Sequence, residues 1–214
     1  MADKFDFKKE YKDLYRPKTK PSLIEVPPIR FIMVNGKGDP NTSKDYAEAM
    51  ELLYGLSFTI KMSKMTGQTP EGYFDYVGPP LEGLWWVKDE SFDGLHITDK
   101  SRFCWTSMIR QPDFVTQQVF QEAKETLAKK KPHLNLDKAR LEFYEEGRSV
   151  QIMHIGPYDD EPRSIMAMED FIKEQGYQND ISEQRKHHEI YLSDPRRTAP
   201  ERLKTIIRHP VRPK

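Results

Sequence analysis

A single cysteine, Cys104, is all that the chain contains, so no disulfide can form within it. It lies in an apolar stretch, Phe103-Cys104-Trp105, where a thiol is a packing group rather than a nucleophile. No run approaches the roughly 18 apolar residues of a membrane span, and the amino terminus MADKFDFKKEY lacks an apolar signal core. The expectation is a cytoplasmic protein without a membrane partner. Neither charge dominates: Lys+Arg and Asp+Glu both number 34, which removes the electrostatic case for direct nucleic-acid binding. HExxH, CxxC and comparable ligand spacings are missing, so neither a metal nor a cofactor is expected. The glycines of Gly36-Lys37-Gly38 fit neither a phosphate loop nor a dinucleotide fingerprint, and read as a tight connection.

What is present suits a globular chain. Hydrophobic residues make up 36% and aromatics 11%, while 32% charged residues imply a heavily solvated surface. A length of 214 residues accommodates one large domain or two halves sharing a core. Residues 1–28 read as an arm lying across the domain. A strand from Ile29 precedes a helix capped by Thr42 or Ser43, with Tyr46, Met50, Leu53 and Tyr54 at near-helical spacing. Short strands follow at Tyr73–Val77, Leu81–Val87 and Phe103–Ile109, and Asp113 is placed as the cap of a helix reaching Lys130. Leu141–Tyr144 and Val150–Ile155 read as a hairpin around Glu146-Gly147-Arg148. A second helix near 163–175 is followed by strands at 187–192 and 203–207.

Strand, helix, strand, strand therefore occurs twice. Half one covers about 29–110, a connector helix about 114–130, and half two about 141–209, with 210–214 as a tail. The predicted class is α+β: duplicated strand-helix-strand-strand units with pseudo-two-fold symmetry, antiparallel sheets with helices on one side, and a central ligand cleft. The two free sheet faces are expected to meet across that cleft, with the strand carrying Glu189 partnering the strand carrying Trp86.

The segment HHEIYLSDPRR, 187–197, concentrates chemistry. Period-two alternation puts His187, Glu189 and Tyr191 on one face, and His188, Ile190 and Leu192 on the other, which suits a covering helix. An ordinary solvent-facing strand would show the same residues. Trp85 and Trp86 must face opposite sides of their strand, and Glu82, Leu84 and Trp86 share one of them.

Gly156-Pro157-Tyr158 before a helix, the repeated order, and Glu189-Ile190-Tyr191 resemble the GyrI-like, or SOUL-type, small-molecule-binding superfamily over about 29–209. That superfamily includes effector-binding domains of MerR-class transcription activators and the gyrase inhibitory protein. PPLEGLWW and HHEIYLSDPRR are similar to its stand-alone branch, some members of which open the strained ring of cyclopropane-containing DNA-alkylating compounds with water. The first half departs from the pattern, with Gly-Lys-Gly where the second has Gly-Pro-Tyr. The resemblance implies a glutamate in an aromatic pocket, by position Glu189. Glu189 and His187 are then the catalytic candidates, and Trp85, Trp86, Tyr191, Glu82 and His154 the ligand-binding ones. The expected partner is an aromatic or cationic small molecule. In a hydrolase Glu189 would activate water; in a sensor it would pair with a cation. A protein-binding inhibitor is a third reading.

Overall fold

The computed structural model describes residues 4–67, 69–88, 92, 94–95 and 99–214. Two four-residue helices, α1 (Phe7–Glu10) and α2 (Lys12–Tyr15), lead into strands β1 (Ser22–Val26) and β2 (Ile29–Lys37). Helix α3 (Lys44–Lys61) precedes β3 (Leu81–Val87) and β4 (Phe103–Arg110). After α4 (Gln117–Lys130) come β5 (Ala139–Tyr144), β6 (Gly147–Ile155), α5 (Glu161–Glu174), β7 (Tyr177–Asn179), β8 (His187–Tyr191) and β9 (Lys204–Pro213). Ser43 caps α3 by accepting from the Tyr46 amide. Thr116 caps α4, where the sequence suggested Asp113, because Pro112 to Val115 close a separate turn first. No helix among the described residues is long and apolar enough to cross a membrane.

The strands form one antiparallel path, β1-β6-β9-β8-β3-β4-β2-β5, with β7 paired to the end of β9. The α+β class and the duplicated order hold. In each half the outer strand pairs with the last, the last with the middle one, and the two middle strands, β3 and β8, join the halves edge to edge. The halves therefore share one sheet, and the expected meeting of two free faces does not occur. The hairpin expected between β5 and β6 is absent among the described residues too, since β5 pairs with β2 while β6 pairs with β1 and β9. Residues 73–77 make an isolated bridge from Tyr76 to Phe5 instead of a strand; Phe5, Phe7, Phe74 and Phe114 pack around that point.

Covalent geometry explains the curvature. Only Pro27 and Pro28 separate β1 from β2, yet these strands lie near opposite ends of the path. Such a link spans about 11 Å at most, so the sheet must curl until its edges approach. The curled sheet has an outer face, under α3 and α5, and an inner face. On the outer face α3 packs beneath α4, and Ile165, Met168 and Ile172 of α5 pack on Val150, Ile152 and Ile207.

The inner face sets a polar cluster among apolar side chains such as Phe31, Leu84, Met108 and Ile190. Alternation sends Glu82, His188 and Arg208 inward, and both nitrogens of His188 are taken by carboxylates: Nδ1 lies 3.0 Å from Glu146 and Nε2 3.0 Å from Glu82. Arg208 donates to Glu146 at 3.0 Å, to Gln151, and to the Leu14 carbonyl at 2.8 Å. Tyr15 donates to Glu82 at 3.2 Å, and the Arg110 guanidinium lies over the rings of Phe7 and Tyr11. The amino-terminal segment thus closes the curl, and residues 22–26 join the sheet as its edge. His188, expected under a helix, lies under this segment. The inner cavity is about 10 Å³, enough for one water and no ligand.

Burial disfavours charge on His188, but Glu146 and Glu82 outweigh it and raise the ring from 6.5 to about 9. Glu146 is likewise opposed by burial, yet His188 and Arg208 hold it down near 2. The stability from the raised histidine is complete below pH 6.5 and is lost as pH rises through about 9. That from the depressed acid is complete above its ordinary 4.5 and is lost as pH falls towards 2. The network's own contribution is therefore greatest at pH 4.5–6.5 and declines towards pH 9, so the stability lost between pH 6.5 and pH 9 in chemical denaturation should be smaller in His188→Gln than in the parent protein. Glu146→Gln, which takes the carboxylate from buried Arg208 and leaves His188 with Glu82 alone, should cost about 3–5 kcal/mol. An equal loss from pH 6.5 to 9 in the parent protein and in His188→Gln would contradict the assignment.

Candidate functional site

The outer face of β3 and β8, in the gap between α3 and α5, carries the other half of the alternation. Gly83 pairs with Glu189 and Trp85 with His187, so Trp85, His187, Glu189 and Tyr191 share this face. Gly83 is required here: a Cβ would lie 2.7 Å from Trp85 Nε1 and 3.3 Å from the Tyr191 hydroxyl. Without it Trp85 Nε1 donates to Tyr191 at 2.8 Å, and the Tyr191 hydroxyl donates to Glu189 Oε2 at 2.7 Å. The other oxygen, Glu189 Oε1, lies 3.0 Å from His187 Nε2. Gly36 has a comparable task beneath Trp105, whose ring would meet a Cβ at 2.2 Å; this glycine serves packing rather than only a turn.

Aromatic rings wall the acid. Tyr46 of α3 stacks on Trp85, Phe103 meets the opposite edge of that indole, Phe92 packs against His187, and Tyr158 meets Tyr191 edge-on. From the first turn of α5 a second acid, Glu161, reaches Glu189. Burial, then the adjacent Glu189 charge, pushes the Glu161 carboxyl well above its ordinary range. Its Oε1 is buried with no conventional donor. We read the contact as two carboxyl groups sharing a proton, since two acceptors cannot face each other otherwise. Burial and Glu189 likewise raise the Tyr191 phenol, and lift Tyr158 to about 12.

His154 lies beneath α5 rather than against the acid. Its Nε2 meets the Pro157 carbonyl at 3.0 Å and its Nδ1 meets Ser164 Oγ at 2.9 Å, so it ties the 156–158 turn to the helix carrying Glu161. Burial lowers its pKa, in keeping with a neutral ring. Glu82 and Trp86 face inward: Glu82 belongs to the His188 network, and Trp86 lies under the Lys186 ammonium. The structure thus gathers Glu189, His187, Trp85 and Tyr191 and places Glu82, Trp86 and His154 elsewhere.

Residues not foreseen are Glu161, Tyr46, Tyr158 and His209. Glu161 follows the Gly-Pro-Tyr turn by three positions, but an acid in a first helical turn has an ordinary explanation in the helix dipole. Glu161, His187 and Glu189 offer ligand atoms within 4.8 Å of one another and are the group among the described residues that could hold a metal ion. Glu189 is already engaged by His187 and Tyr191.

An acid pair walled by aromatic rings, between helices on a curled sheet, defines a small-molecule-binding protein by class. The family model described as the GyrI-like small molecule binding domain matches residues 19–212, and the chain belongs to that family. Among solved structures, a hydrolase from Listeria innocua is 46% identical, with a TM-score of 0.89, over 98% of this chain and 100% of that one. An uncharacterized conserved protein from Listeria innocua is 48% identical, with a TM-score of 0.92 over the same shares. The EcmrR C-terminal domain, 12% identical, has a TM-score of 0.54 over 91% of this chain and 98% of that one, a likeness of fold alone. A search of the curated proteins gives no match.

Because the Glu161 carboxyl is raised in the folded state, it withdraws stability as pH climbs above its ordinary 4.5. Glu161→Gln should therefore melt higher than the parent protein, with a gain that grows from pH 5 to pH 8. Differential scanning fluorimetry at the two pH values checks this, and an equal or lower melting temperature at pH 8 would contradict it.

Proposed function

We propose that this GyrI-like protein binds planar aromatic molecules between α3 and α5 and hydrolyses a strained, electrophilic ring in them, with Glu189 as the base. The carrying observation is Glu189 held by His187 and Tyr191 beside the raised carboxyl of Glu161, within a wall of aromatic rings. A base and a proton-bearing acid stand together, the pairing that water addition needs. For a cyclopropane conjugated to a carbonyl, the water oxygen bonds to a ring carbon as a ring C–C bond breaks. The electron pair passes to the carbonyl oxygen. Glu189 accepts the proton of the water and Glu161 supplies one to that oxygen, so the product is substrate plus one water. Half-buried Tyr46, backed by the buried Trp85, and the more exposed Tyr158 offer ring surface for the planar part. A hydrolase at 46% identity supports the hydrolytic class.

The same acid pair among aromatic faces also suits capture of a cation without turnover, as in an effector-binding or sequestering module. One variant separates the readings. Glu189→Gln should retain tryptophan quenching by a planar aromatic ketone bearing a conjugated cyclopropane, while formation of the water-added product falls roughly 10²–10⁴-fold by mass spectrometry. If the parent protein binds the probe and yields no water-added product, while Glu189→Gln loses affinity for aromatic cations, the sequestering reading replaces the hydrolase. Quenching by neither class would overturn the site itself.

A further inference from the structure

We propose that His187 and His209 form a proton path from Glu189 to the far side of α5, a role that rests on reading Glu189 as the base. His187 Nε2 lies 3.0 Å from Glu189 Oε1, and His187 Nδ1 lies 2.8 Å from His209 Nε2. His209 Nδ1 in turn lies 3.6 Å from Glu169 Oε1 and 3.4 Å from Asn179 Nδ2. Strand register makes the contact possible, since β8 and β9 are neighbours and both histidines project from the outer face.

The burial along this line is graded. His187 and His209 are 1% and 0% exposed, and the Glu189 side chain is 14% exposed behind its aromatic wall. Glu169 is more open, at 22% of its side chain, and with Asp170, Lys173 and Asn179 it lines a cavity of about 490 Å³ on the outer side of α5. The Glu169 carboxyl is held below its ordinary range, first by its hydrogen bond to His209. It is therefore an acceptor at the wet end of the line.

The acid pair works only while it holds one proton, and a pair enclosed by aromatic rings must exchange that proton with water by some route. Imidazole suits the task because a proton can enter at one ring nitrogen while another leaves from the second. A proton passing from Glu189 to His187 Nε2 displaces one from His187 Nδ1 to His209 Nε2. His209 then releases one from Nδ1 to Glu169, and Glu169 passes it to water. One proton enters, one leaves, and no electrons or other reactants are needed. Among the described residues, ionisable groups facing the pair include Glu189 on β8 and Glu161 and Glu169 on α5, with Asn179 of β7 as a neutral neighbour. A buried histidine pair serving only to satisfy polar atoms would show the same distances, so the test must follow the proton.

The direct measurement is exchange of the buried His187 ring proton with D2O, followed by nitrogen-15 NMR on the full chain. His209→Phe and His209→Gln should each slow that exchange about tenfold or more, and Glu169→Gln should slow it less. Unchanged or faster exchange overturns the path, because the proton would then reach water through the cleft. Should neither His209 variant fold, Glu169→Gln at the open end decides alone: slower exchange supports the path and unchanged exchange overturns it. If the parent protein opens no ring, the base reading fails, and the exchange measurement decides the path by itself.

Discussion

One imidazole held between two carboxylates organises the inside of this protein. His188 joins Glu82 of the first half to Glu146 of the second, and Arg208 ties Glu146 to Gln151 and to the backbone of α2. The arrangement puts charged groups where a curled sheet would ordinarily place apolar ones. Each of these groups is costly alone and tolerable only in the set, so the network penalises any slip of β8 against β3 or β9. Because neighbouring side chains on a strand point to opposite faces, fixing His188 inward fixes Glu189 outward.

The outer site inherits that precision. Glu189 is oriented on both oxygens, by His187 and by Tyr191, and Tyr191 is itself oriented by Trp85 across the strand boundary. Each half contributes one helix and one middle strand. The acids come from the second half, Glu161 and Glu189, whereas the first half supplies the aromatic faces of Trp85 and Tyr46. Duplication built a symmetric frame, and the two copies have taken different chemical tasks within it.

Much of this frame was legible in the amino-acid order. Ser43 as a cap, the two long helices over a duplicated sheet, and the alternation that separates Glu189 from His188 all follow from local rules. The face assigned to the helices did not. Alternation reports that two faces exist but not which is covered, and Ile190 and Leu192 drew His188 towards the helix side, when its real neighbours come from residues 14–15, 82 and 146. Strand length hid a further residue: the last strand was placed at 203–207 with 210–214 as a tail, yet β9 runs on to Pro213 and carries His209 to His187. Glu161 was hidden differently, since its partner is 28 positions away and only the curl of the sheet brings them together.

The proline link between β1 and β2 has a bearing on how the chain is made. Every pairing among β2, β3, β4 and β5 lies within residues 29–144, so these strands can assemble while the rest is still being synthesised. The strand made first cannot join them. Ser22 pairs with Gln151, and the strand that binds β6 to β8 is β9, the last to leave the ribosome. A newly synthesised first half can already seat the amino-terminal helices, since Phe7, Tyr11 and Tyr15 find Tyr76, Arg110 and Glu82 within it, but it must hold β1 unpaired until β6 is made, and β6 joins the first-half sheet only through β9 and β8. The first strand of the nascent chain is, by topology, among the last to find its place in the sheet.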